Sequence, residues 1–100
     1  MTAIVHLDLH LDPNKLDIVP AILNETLAAT RAWPGNEGLE ILVNDDDPAH
    51  IIVVEQWASA ADHDAYSVWR TTPEGVSRLG EVVAAVPVKT VFSERIPLTF

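Results

Sequence analysis

The chain has 100 residues and reads as one domain, with a hydrophobic fraction of 48% and a charged fraction of 21% that fit a globular protein rather than a disordered one. Six basic residues against fifteen acidic ones give a formal net charge of -9, which argues against nucleic acid and anionic membrane as partners, since both need a basic face. No cysteine is present, so disulfides, thiolate metal sites and thiol nucleophiles are excluded, and no signal-peptide pattern or long apolar run is visible; a cytoplasmic protein is the expectation.

Residues 3–11 (AIVHLDLHL) alternate with a period of two. Val5, Leu7, Leu9 and Leu11 form an apolar face, and Ile4, His6, Asp8 and His10 a mixed one, which predicts a strand. Asp12-Pro13-Asn14 ends it. A helical pattern follows over 15–33, with Pro20 inside it; either the helix starts near that proline or its first turns are kinked. Ile22, Thr26, Ala29 and Trp33 form its stripe beside Leu23 and Leu27, and Pro34-Gly35 stop it. Residues 38–43 (GLEILV) and 51–57 (IIVVEQW) read as two strands of a hairpin around the polar turn 44–48. Ser59 and Asp62 make a capping-box-like start for a second helix with a stripe of Ala61, Ala65, Val68 and Trp69. Thr72 and Pro73 predict a further short helix to about residue 85, with Val76, Leu79, Gly80 and Val83 inward. Residues 88–96 alternate as a last strand.

The order βαββαβ predicts an α+β, ferredoxin-like fold, with an antiparallel sheet and helices on one face. Two helices cover one sheet face only. Ile51 to Val54 carry apolar side chains on both faces, and Val91 and Phe92 point opposite ways. The bare face is an apolar patch that a second copy would cover, so a two-fold homodimer is the expected state.

Thr30-Arg31-Ala32-Trp33-Pro34-Gly35-Asn36-Glu37-Gly38, Val54-Glu55-Gln56-Trp57-Ala58-Ser59 and Ala65-Tyr66-Ser67-Val68-Trp69-Arg70-Thr71, in this order and spacing, resemble the antibiotic biosynthesis monooxygenase-like domains. The resemblance covers residues 3–96. It implies a dimeric α+β barrel with a pocket between sheet and helices in each subunit. It also implies cofactor-free oxygenation of a small aromatic molecule: a phenol, a quinol or a polyketide anthrone. The haem-degrading branch carries an Asn on the first strand and a Trp and a His on the second helical region; here the first strand has no Asn, the position of that Trp aligns with Tyr66, and no His lies between Pro73 and Ala85.

Cofactor-free oxygenation needs a base, an apolar water-poor cavity and a donor or cation for reduced oxygen. His6 and His10 on the first strand are the candidate bases; the alternative places their face against solvent or a partner. Tyr66, Trp69 and Arg70 stand at i, i+3 and i+4 and share a helix side. Tyr66 is the third catalytic candidate, and Trp57, Trp69 and Arg70 the substrate-binding ones. The alternative makes both tryptophans core anchors and Arg70 a solvated or Glu55-paired cation. No cofactor is expected. A metal on His6-x-Asp8-x-His10 is not expected either, because residues four apart on a strand lie about 13 Å apart, and His50 and His63 read as turn and helix-start residues. The reading kept beside the enzyme is a non-catalytic dimer that binds a small ligand or acts structurally.

Overall fold

The computed structural model describes residues 2–100. Four strands and two helices follow in the order β1 (Ala3–His10), α1 (Val19–Ala32), β2 (Asn36–Asn44), β3 (Asp47–Trp57), α2 (Ala60–Arg70) and β4 (Val88–Phe92). The sheet runs β2-β3-β1-β4 with every neighbouring pair antiparallel. That is the α+β ferredoxin-like arrangement expected from the element order, because each crossover helix returns the chain to a non-adjacent strand.

Parity decides what faces what. Val5, Leu9, Ile51, Val53 and Trp57 point toward the helices and are buried. They meet Val19, Ile22, Leu23 and Leu27 of α1 in one core cluster, and Tyr66 of α2 in a second. The other face carries Ile4, His6, Asp8 and His10 of β1, in register with Gln56, Val54, Ile52 and His50 of β3. It also carries Phe92 of β4, opposite Ile4, and no helix covers it. Phe92 is 49% exposed and Leu42 52%.

Pro20 stands in the first turn of α1, where its missing N–H costs nothing. A single 3-10 turn over Pro13–Lys15 precedes the helix, capped by the Asp12 side chain on Asn14 N. The first stripe holds, although Ala29 is only half-buried and Thr30 takes a fully buried place. In α2 the buried face is rotated from the expected stripe: His63 and Tyr66 are buried, whereas Ala61, Ala65 and Val68 are exposed. The small, weakly apolar alanines gain little from burial, and the two rings gain more.

The expected third helix is absent. Residues 73–87 run as turns with a 3-10 segment at Leu79–Glu81. Val82 is fully buried, Val83 half-buried, and Val76 and Gly80 are exposed. Two glycines and a β-branched Val82-Val83 pair weaken helix here. The chain instead pairs with the end of β1, through Asp12 N to Val82 O at 2.8 Å and Ala84 N to His10 O at 2.7 Å. β4 ends at Phe92 rather than residue 96.

Candidate functional site

A cavity of about 370 Å³ lies between the helix-facing side of the sheet and the two helices. Leu7, Leu9 and Val53 form its sheet wall together with Glu55; Leu23, Thr26 and Leu27 line it from α1; His63, Tyr66 and Arg70 line it from α2. The irregular 76–87 segment and Lys89 close the remaining side. The walls are mainly aliphatic with a few convergent polar groups, as small-molecule sites are.

Tyr66 and Arg70 lie one helical turn apart, and the chain uses nearly all their hydrogen-bonding capacity on itself. Arg70 Nε donates to Tyr66 Oη at 2.6 Å. Arg70 Nη2 donates to Thr26 O at 2.7 Å and to Thr30 Oγ1 at 3.1 Å, and Nη1 donates to Gly75 O at 3.1 Å. Tyr66 Oη and Thr30 Oγ1 are 2.6 Å apart, and Thr30 Oγ1 stands 3.3 Å from Thr26 O. Counting protons gives one consistent chain: Tyr66 donates to Thr30, and Thr30 donates to Thr26 O. The guanidinium also lies 5.1 Å from the Tyr66 ring centre and 5.0 Å from that of Trp69. The pair therefore presents a fixed positive charge and a fixed ring to the cavity.

His63 differs. It is 2% exposed, its Nδ1 is buried without a hydrogen-bond partner, and its Nε2 stands 3.4 Å from Ser67 Oγ. Ser67 Oγ in turn accepts from Lys89 Nζ at 3.0 Å. Burial holds the imidazole below its ordinary pKa, the Lys89 charge adds to this, and Asp64 opposes it. His63 is thus held neutral at neutral pH, with one ring nitrogen unused.

Glu55 is 4% exposed and accepts from Trp57 Nε1 at 2.9 Å. Burial raises its pKa; the Trp57 hydrogen bond and the charges of Lys89 and Arg70 pull the other way. A carboxyl raised by burial and a histidine lowered by burial thus line the same cavity, and groups shifted in this way cluster at functional sites.

Trp57 and Trp69 stand behind this lining rather than in it. Trp57 packs its ring 5.1 Å from Tyr66 and 5.5 Å from His63. Trp69 stacks 4.9 Å from Trp33. They fix the rings that do face the cavity.

His6 and His10 lie on the opposite side of the sheet. Their even-numbered parity turns them from the helices, and His6 packs edge-on to Phe92 at 5.2 Å. The cavity is lined instead by the odd-numbered Leu7 and Leu9. Sequence reasoning passed over His63 as a helix-start residue. Its position three residues before Tyr66, on the same helix face, was the available signal.

A family model described as antibiotic biosynthesis monooxygenase matches residues 2–75. No curated protein matches the sequence. Among solved structures, a protein of Mycobacterium tuberculosis is similar with a TM-score of 0.76 at 18% identity, over 99% of this chain and 100% of that one. A conserved protein of Methanosarcina mazei gives 0.81 at 13% identity, over 95% and 94%. A structure named antibiotic biosynthesis monooxygenase gives 0.73 at 22%, over 97% and 100%. At these identities the likeness shows the fold alone.

Proposed function

The chain belongs to the antibiotic biosynthesis monooxygenase family, and from that premise we propose that it oxidises a small aromatic molecule, of the quinol or anthrone type, with O2 and without a cofactor. The observation that carries this reading is the buried His63, neutral and with an unpartnered Nδ1, in the lining of a mainly aliphatic cavity. With Nε2–H donating to Ser67 Oγ, Nδ1 holds the free lone pair and serves as the base.

The step needs little else. His63 takes a proton from the activated CH2 of an anthrone or from the O–H of a quinol, leaving an electron-rich anion. The anion gives one electron to O2, the resulting carbon-centred radical and superoxide combine to a peroxide anion, and the proton returns from His63 to make the hydroperoxide. Loss of water, with the hydrogen that remains on that carbon, leaves a carbonyl. One oxygen atom enters the product and the other leaves as water; all four electrons come from the substrate. Arg70 and Lys89 supply positive charge for the reduced oxygen. Tyr66 forms a rigid wall, held by Arg70 and Thr30. Trp57 and Trp69 position that wall from behind.

His6 and His10, on the open face, take no part in the step as we propose it. That face, with Ile4, Leu42, Ile52, Val54, Val88 and Phe92, suits burial against a second copy, and we take the working unit as a two-fold homodimer.

Oxygen uptake with a panel of quinols and anthrones, with no metal or flavin added, tests the activity. Turnover that falls at least about tenfold in His63→Leu, as loss of a general base requires, supports it. No uptake across the panel overturns it. A compound from the panel that raises the melting temperature and is recovered unchanged favours the second reading, a ligand-binding module on the same cavity.

A further inference from the structure

The open face of the sheet carries a second cluster, remote in kind from the cavity. Asp8 and His10 stand two apart on β1, and His50 stands directly across from His10 on β3. Both histidine Nε2 atoms meet one carboxylate oxygen: His50 Nε2 is 2.9 Å from Asp8 Oδ1, and His10 Nε2 is 3.4 Å from it. The two imidazoles lie parallel, 4.4 Å between centres and 4° between planes. All three donor atoms fall within 4.8 Å of one another.

We propose that Asp8, His10 and His50 form a binding site for a divalent ion of the imidazole-preferring first-row kind, zinc foremost. With bonds of about 2.0–2.1 Å, two ligand atoms of a tetrahedral ion stand about 3.3 Å apart. The two distances to Asp8 Oδ1 bracket that edge; the stacked rings do not aim both Nε2 lone pairs at one point, so binding requires the exposed His10 ring to turn toward the ion. Two imidazoles and one carboxylate form a donor set that suits zinc, nickel and copper and is poor for magnesium or calcium. Three protein ligands leave a fourth position for a further ligand, and the His10 side chain is 57% exposed in the single chain.

Asn44 Nδ2 lies 3.0 Å from His50 Nδ1, and Asn44 Oδ1 accepts from Asp46 N at 2.8 Å. The amide therefore holds the metal-free His50 ring with Nδ1 as acceptor and Nε2 carrying the proton toward Asp8. When Nε2 binds metal, Nδ1 carries the proton, so the His50 side chain must leave this contact with Asn44.

The strand spacing argument against a metal stands for His6 and His10, about 13 Å apart on one strand. It does not reach His50. The strand β3 begins at Asp47, so His50 is a strand residue rather than a turn residue, and the ladder brings it across from His10.

The test is zinc titration of the untagged full chain by calorimetry, with cobalt substitution read by its visible absorption. One ion per chain and the intense d–d bands of a tetrahedral site are expected. His50→Gln and the solvent-exposed His10→Gln each weaken binding at least tenfold, and His6→Gln on the same face leaves it unchanged. Equal affinity in the wild type and the His10→Gln/His50→Gln double variant overturns the proposal, as does an octahedral cobalt spectrum that none of these variants alters. Circular dichroism of each variant separates lost ligands from lost fold. The measurement needs no substrate, so its outcome is independent of oxygen uptake.

Discussion

Tyr66 Oη and Thr30 Oγ1 face each other at 2.6 Å across the seam between α2 and α1. With the Arg70 bonds to Thr26 O and Thr30 Oγ1, it ties together two helices that otherwise meet the sheet in separate apolar clusters. Arg70 closes the pair into a triangle, donating to both oxygens.

Tyr66→Phe removes one hydroxyl and leaves Arg70 Nε and Thr30 Oγ1 each short of a partner in a buried place. The expected cost is about 1–3 kcal/mol. For a domain of this size that is a fall in melting temperature of roughly 4–8 °C per kcal/mol. Calorimetric or circular-dichroism melting measures it, and an unchanged midpoint would show the triangle to be energetically idle.

His63 predicts a pH dependence of stability. Its folded pKa lies below the ordinary 6.5. As pH falls through 6.5 the unfolded chain takes up a proton that the folded one refuses, so stability falls until the lowered folded value is reached, and this contribution is flat beyond. In His63→Leu, that part of the decline disappears. Urea midpoints collected at closely spaced pH values, wild type beside variant, give the answer. Parallel curves would mean that the imidazole is not held neutral by burial.

Glu55 works in the opposite sense. Its folded pKa lies above 4.5, so the folded state keeps a proton that the unfolded state loses. Stability therefore declines as pH rises from 4.5 through the raised folded value, and stays lower above it. Glu55→Gln keeps an oxygen for Trp57 Nε1 and carries no charge. It is expected to melt higher than wild type at neutral pH, with the gap closing toward acid. A gap that widens toward acid would contradict the assignment.

Gly35 joins α1 to β2 at φ +92, a conformation that other residues adopt at a cost of about 1–2 kcal/mol. A Cβ there would also lie 2.5 Å from Cβ of Asp62. Asp62 accepts from Ser59 Oγ at 2.9 Å, and its backbone N donates back to Ser59 Oγ at 3.1 Å. Gly35→Ala therefore strains the turn and pushes on the cap of α2. Denaturant unfolding should show a loss of at least the strain term. A neutral result would place the turn elsewhere.

The open sheet face predicts self-association. Sedimentation at dilute concentration is expected to give a particle of twice the chain mass. Phe92→Asp and Leu42→Asp, both at exposed apolar positions on that face, should shift it to the single chain without unfolding it. A stable lone chain in the wild type removes the dimer from the functional reading.

The sequence by itself determined the order of the strands and of the two helices between them, the presence of the first helix, and the ferredoxin-like arrangement. Those follow from local periods and from the handedness of crossovers, which act at short range along the chain. It also showed that Tyr66 and Arg70 share a side of α2. It did not determine which face of α2 turns inward: Ala61, Ala65 and Val68 satisfy a helical period as well as His63 and Tyr66 do, and only the volume beneath the sheet chooses the rings. Nor could it see that residues 73–87 abandon helix to pair with the end of β1, because Val82 finds its burial there and not along its own segment. The parity of β1 was plain in the sequence, but which parity meets the helices was decided by packing. That choice leaves His6 and His10 on the open face, and strand pairing then sets His50 opposite His10, forty residues away in the chain, where spacing along one strand has nothing to say.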